Sequence, residues 1–212
     1  MKIVLAFDIE RSGSTNEYDT IAIGASVVDE NLHELDRFVY LSYITNETRF
    51  EDKCMKEFWS KHLDILNTLK YTGPLNKQEN ESNMINEFQQ FRSKWESYCK
   101  ENSHQYYLVS DNTIYDGGFI NMLIYKYMKK TLPIPYSAKT QQYDDLYETT
   151  SIMKGLLLSN NVESDNNMYK TLQTIYNIPN CPILHNHNPA NDAFNIGFQA
   201  QVLLNINKYT KI

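Results

Sequence analysis

The segment "FDIERSG", Phe7 to Gly13, sets Asp8 and Glu10 on either side of one isoleucine, directly after the apolar run "KIVLAF". Residues two apart in a strand point to the same face, so the two carboxylates project together while Ile9 projects away. Like charges at that separation call for a proton or a cation between them, and a pair of carboxylates suits Mg²⁺ or Mn²⁺. Taken alone, the pattern is more often that of a frayed, solvated strand end.

Two further segments carry acids in telling places. In "LVSDNTIYDGGF" a strand ending at Ser110 leads into Asp111 and Asn112, good turn residues, and Asp116 then opens an amphipathic helix. An acid in a first helical turn is also a common partner of the helix dipole. In "HNHNPANDAFNIGFQAQVLL" Asn188 and Pro189 read as an N-cap and a first helical position, which leaves His187 just outside the helix. Ala193, Ile196, Gly197, Ala200 and Leu204 form its inward stripe, and Asp192 lies four residues before Ile196, on or beside that buried face. An inward carboxylate needs a partner, and His187 is placed to swing over whatever Asp192 binds. Each histidine by itself is also an ordinary surface or core imidazole.

The elements that must position these residues follow from periodicity. Ile3 to Phe7 is apolar on both faces, as a central strand of a covered sheet would be, and Thr20 to Val28 and Glu34 to Tyr43 continue it as an antiparallel meander. Residues 50–70 are helix-like, with Cys54, Phe58 and Leu66 at roughly helical intervals. Met84, Phe88, Phe91, Trp95 and Tyr98 mark a cleaner helix whose stripe is core. Residues 104–110 read as a strand, 116–130 as the helix after it, Met168 to Tyr176 as a short helix and 189 to about 205 as the last. Residues 131–165 are mixed, with a short strand and a helix within "QQYDDLYETTSIMKGLLL". The succession of strands, helices, strand, helix, mixed segment and helix predicts one α/β domain over residues 1–212.

Bulk composition narrows the function. With 42% hydrophobic residues the 212-residue chain can build a single core. Its net charge of −6 opposes a broad basic face for duplex DNA, so any nucleic-acid contact should be local. Cys54, Cys99 and Cys181 form neither a metal motif nor a disulfide framework, and the apolar start is too short and too soon charged for a signal peptide. No segment approaches a membrane span, so no membrane partner and an intracellular setting, cytoplasmic or nuclear, are expected.

Taken in order, the three segments resemble the DEDDh group of the DnaQ-like 3′-5′ exonucleases, and the likeness covers nearly the whole chain. Asp8 and Glu10 match the first motif of that family, Asp116 the second, and His187 with Asp192 the third. Asn112 matches an asparagine four residues before the second-motif acid, whereas Asp111 stands where a histidine is common. "IAIGASVVD", residues 21–29, looks like the family's second strand, with its frequent Ile-Gly pair. The resemblance implies a ribonuclease H-like fold, a central mixed five-stranded sheet flanked by helices. It also implies two divalent cations, Mg²⁺ or Mn²⁺, held by Asp8, Glu10, Asp116 and Asp192, with His187 as general base and His185 as the competing choice. Arg11, Ser12, Asn112 and Phe119 become the expected substrate contacts. The expected substrate is a nucleic acid, DNA or RNA, with a free 3′ end that is short or single-stranded, shortened to nucleoside 5′-monophosphates. A catalytically inactive binding module of the same fold is the rival; such a module would normally have lost an acid or the histidine, and none is missing.

Overall fold

The structure is a computed structural model that describes residues 1–42, 44, 48–69, 73–130, 146–164 and 166–212. Among these the chain forms β1 (Lys2–Arg11), β2 (Thr20–Asp29), β3 (Glu34–Leu41), α1 (Asp52–Glu57), α2 (Leu63–Thr68), α3 (Lys77–Glu101), β4 (Gln105–Ser110), α4 (Gly118–Met128), β5 (Leu146–Glu148), α5 (Thr149–Ser159), α6 (Met168–Gln173) and α7 (Pro189–Leu204). The strands make one five-stranded sheet in the order β3-β2-β1-β4-β5. The pairs β1–β2 and β2–β3 are antiparallel, and β1–β4 and β4–β5 are parallel, which is the mixed sheet expected.

Strand β1 divides its side chains between two helical layers. Ile3, Leu5, Phe7 and Ile9 pack with Met84, Ile85 and Phe88 of α3 and with Ile120 and Ile124 of α4. Val4 and Ala6 face the other way, onto Ile196 and Ala200 of α7. This double burial explains why β1 is apolar without alternation, whereas edge strand β3 alternates, with Val39 50% exposed.

Helix α7 is fixed at both ends. Asn188 caps it by accepting from the N–H groups of Ala190 and Asn191, with Pro189 in the first turn, as its sequence predicts. Its N-terminal backbone lies against β2 at Gly24, where a Cβ would come 2.0 Å from the carbonyl carbon of Pro189 and 2.3 Å from the nitrogen of Ala190. Near its other end Gln201, fully buried, donates from Nε2 to the carbonyls of Lys2 at 2.9 Å and Val28 at 2.7 Å.

Several boundaries differ from expectation. The helix read over residues 50–70 is broken into α1, a 3₁₀ turn at Trp59–Lys61 and α2. The buried Trp59 indole N–H binds the carbonyl of Arg11 at 2.9 Å, and His62 takes a non-helical conformation, so the chain bends to deliver that tryptophan. Helix α6 ends at Gln173 rather than Tyr176, and β3 ends at Leu41. Tyr43 and residues 131–145 lie outside the described residues; from the mixed segment, β5 and α5 emerge as the short strand and helix expected.

Gly24 yields a direct test of this packing. Replacing it with valine forces α7 off β2 and should cost about 1–3 kcal/mol, the scale of overpacking a core. Urea denaturation measures the loss, and an unchanged midpoint would contradict the close approach.

Candidate active site

The two carboxylates of β1 do not end the strand. Pairing with β2 continues through Asp8 opposite Gly24 and Glu10 opposite Ala22, while pairing with β4 stops at Ala6 opposite Val109. Beyond that point β1 loses one neighbour, and a crevice opens beside it. Asp8 and Glu10 extend the Val4–Ala6 row, so the period of two aims them at the α7 side of the sheet.

The same period adds a residue from β4. Val109 shares its face with Ala6, and Asp111, two residues later, follows it toward Asp8. Next comes a π-helical turn, Thr113–Gly117, in which Asn112 caps by accepting from the Tyr115 N–H at 3.1 Å. Such wide turns recur at functional sites because they re-aim a side chain. Here the turn carries Asp116, where sequence periodicity predicts the α-helix to start, and α4 proper begins at Gly118. Carboxylate oxygens of Asp8, Asp111 and Asp116 lie within 4.8 Å of one another. Asp111 is therefore a fifth acid at the site.

From the opposite side α7 brings Asp192, fully buried, and its oxygens meet those of Asp8 and Glu10 within the same 4.8 Å limit. Asp192 Oδ1 accepts from the Asn186 N–H at 2.9 Å, and its Oδ2 lies 3.3 Å from Nδ1 of His185. His187 has a left-handed backbone, φ 60°, in the turn that enters α7. Its ring is packed edge-on by Phe58, His62 and His185, with ring centres 4.6, 4.4 and 4.5 Å away.

Burial and mutual repulsion both resist ionisation of these acids. Burial, then Glu10, Asp111 and Asp192, raises the pKa of Asp8 well above the ordinary carboxylate range; burial, then Asp192, Asp116 and Asp111, does the same to Glu10. Burial followed by Asp8 and Asp111 pushes Asp116 up to about 10. Asp192 is raised chiefly by burial, against the opposing pull of the Asn186 N–H and His185. Burial, with His185 and His62 nearby, lowers His187 to about 4. Oδ2 of Asp116 and Oδ2 of Asp192 are buried and accept no hydrogen bond among the described residues. A carboxylate-lined crevice with unsatisfied oxygens fits hard divalent cations.

The expected substrate contacts sit differently from the acids. Arg11 points to the α4 side, its guanidinium 3.3 Å above the Phe119 ring, and its Nη2 donates to the carbonyls of Thr15 and Tyr18. The backbone of Ser12 is engaged at both ends, its N–H by the Asp19 carbonyl and its carbonyl by the Glu51 N–H. Phe119 is nearly buried, whereas Asn112 is exposed beside Asp111. Sequence reading left the role of Asp111 open and passed over Trp59 and Gln201; the Val109–Asp111 alternation was the available signal for the first.

The fold is the ribonuclease H-like one expected, a mixed five-stranded sheet flanked by helices. No family model matches the chain, and no curated protein matches it. Solved structures do. E. coli exonuclease I, seen in complex with a dT13 oligonucleotide, matches with a TM-score of 0.54 at 10% identity over 98% of this chain, which spans 42% of that protein's chain. Exonuclease X, bound to 5′-overhanging duplex DNA, matches at 0.50 and 12% identity over 99% of this chain and 95% of its own. The nuclease domain of 3′hExo, a DEDDh family member bound to rAMP, gives 0.47 at 12% identity over 100% and 96% of the two chains. At these identities the first two establish the fold.

The acid cluster sets a pH dependence. Its carboxyls hold protons more tightly in the metal-free fold than in the unfolded chain. That contribution to stability is fully present below about pH 4, the ordinary carboxylate range, and is lost as pH rises through the raised folded values. A cation that replaces those protons should therefore raise the melting temperature much more at pH 8 than at pH 5. Thermal melts with Mn²⁺ and with EDTA measure this, and equal shifts at both pH values would contradict it.

Proposed function

We propose that the chain is a 3′-5′ exonuclease that hydrolyses the terminal phosphodiester of DNA or RNA and releases nucleoside 5′-monophosphates. One observation carries the reading: Asp8, Glu10, Asp116 and Asp192, drawn from three distant segments, converge with His187 at the rim. Residues 1–212 act as a single exonuclease domain in this reading. Two divalent cations, Mg²⁺ or Mn²⁺, would be held by the overlapping sets Asp8, Glu10, Asp192 and Asp8, Asp111, Asp116. When bound, such ions lower the pKa of a water and stabilise the charge on the departing 3′ oxygen.

The chain's own groups supply the rest. His187, its pKa lowered to about 4, is a neutral imidazole through the neutral range and so has a lone pair free to take the proton of the attacking water. Phe58 and His62 confine its ring at the mouth of the crevice. Asp192 is oriented by the Asn186 N–H, and Asp8 and Glu10 by an antiparallel ladder that continues past them. The net charge of −6 opposes long runs of phosphate contacts, which favours short or single-stranded 3′ ends. Among the described residues no helix is long and apolar enough to cross a membrane. The free thiols suit a reducing, intracellular setting.

Incubating the protein with 5′-labelled single-stranded DNA and RNA in Mg²⁺ or Mn²⁺ should give stepwise shortening from the 3′ end, abolished by EDTA. Internal cuts, or binding without cleavage, would overturn the assignment. Asp8→Asn and Asp192→Asn should each reduce the rate by roughly 10²–10³-fold or more, the scale of removing one group that stabilises transition-state charge. His187→Ala should slow turnover by roughly 10²–10⁴-fold, the range for a general base, with Mn²⁺ affinity measured by calorimetry unchanged.

A further inference from the structure

Three of the chain's five histidines meet at one point on the rim of the crevice, and one of them, His185, takes no part in the chemistry given under Proposed function. His185 is half exposed, stacks edge-on against His187 with ring centres 4.5 Å apart, and sets Nδ1 3.3 Å from Oδ2 of Asp192. His185, His187 and Asp192 each offer a ligand atom within 4.8 Å of the other two. The shared Asp192 oxygen is fully enclosed and accepts no hydrogen bond among the described residues, its 3.3 Å approach to His185 Nδ1 being the contact that a shared ion would bridge.

The donor set differs in kind from the cradle beside it. Two imidazoles and one carboxylate suit Zn²⁺ and its transition-metal neighbours, whereas carboxylates and water suit Mg²⁺ and Mn²⁺. Three protein ligands with a fourth position left to water is an ordinary zinc arrangement. Zinc bonds of about 2.0–2.2 Å require the ligand atoms to draw in from their present spacing. His185 is free to do so, since its side chain is 55% exposed.

We infer that His185, His187 and Asp192 form a transition-metal site of the Zn²⁺ class that excludes productive loading of the carboxylate cradle, because both need Asp192. Zinc there also occupies the imidazole lone pair of His187. On the reading given under Proposed function, which this regulatory consequence rests on, the bound ion inhibits cleavage.

The test separates binding from activity. Metal-free wild type and His185→Gln are titrated with Zn²⁺ and, separately, with Mn²⁺ by calorimetry. Co²⁺ visible absorption then reports whether nitrogen ligands are present. The expected result is a Zn²⁺ affinity about 10–100-fold weaker in the variant, at least the loss seen when a metal ligand's supporting partner is removed, with Mn²⁺ affinity within about twofold of wild type. Equal Zn²⁺ affinity in the two proteins, equal weakening of both ions, or no Zn²⁺ binding by wild type would each overturn the site. In Mn²⁺-dependent cleavage assays the Zn²⁺ concentration for half inhibition should rise by the same factor in the variant. An unchanged value would overturn the inhibitory role. Because the titrations need no substrate, a protein that binds Zn²⁺ through His185 but cleaves nothing would refute the nuclease reading and leave this site standing.

Discussion

Acidic side chains from β1, the turn after β4 and the start of α7 face one another where little water reaches them, and everything else at this end of the molecule serves to hold them there. Such an arrangement is costly in its ionised form, since each carboxylate loses solvation and gains like-charged neighbours. A fold tolerates that only if it is rigid enough not to spread. The rigidity comes from hydrocarbon and backbone: β1 and β2 are buried almost throughout and are covered on both faces. The work of assembling the site is thus done during folding, which creates a repulsion that a bound cation would relieve.

Helix α7 is the element whose position decides whether the acids meet. Gly24 allows its first turn to touch β2 directly opposite Asp8, and Gly197 lets the next turns settle onto Ala6 and Val28. Gln201 then ties the far end to two strands through one amide, which fixes the helix along its axis as well as in height. With both ends held, the rotation of α7 is set, and Asp192 can point only toward β1. The small residues remove the space between backbones, and the buried amide prevents sliding; neither alone would do both.

Much of this was legible because hydrophobic periodicity and chemistry coincide in the same short segments. The apolar run before Asp8, the Asn188-Pro189 helix start and the inward stripe of α7 are local patterns, and they gave the central strand, the capped helix and the buried Asp192 directly. The break after α1 was not legible. It results from Trp59 reaching back to the carbonyl of Arg11, a contact between residues 48 positions apart that no local propensity announces. The π-helical turn around Asp116 escaped for a similar reason, since acids, turns and helix starts look alike in sequence whichever carbonyl the next N–H selects.

The tip of β1 shows how one strand can serve two purposes with adjacent residues. Asp8 and Glu10 face the crevice, while Arg11, past the register shift in the β1–β2 ladder, turns to the other layer and holds the following loop through the carbonyls of Thr15 and Tyr18. Its guanidinium lies on Phe119 at the start of α4, the helix that follows the turn bearing Asp116. One residue therefore couples the strand that carries two acids to the segment that carries a third, from the face away from the chemistry. An uncharged replacement there would remove the clamp and the stacking contact together, and the consequence would reach the crevice as lost alignment. Where the ordinary logic of an exposed arginine is a phosphate contact, burial aims one nitrogen of this one, Nη2, at the carbonyls of Thr15 and Tyr18 and lays its plane on Phe119.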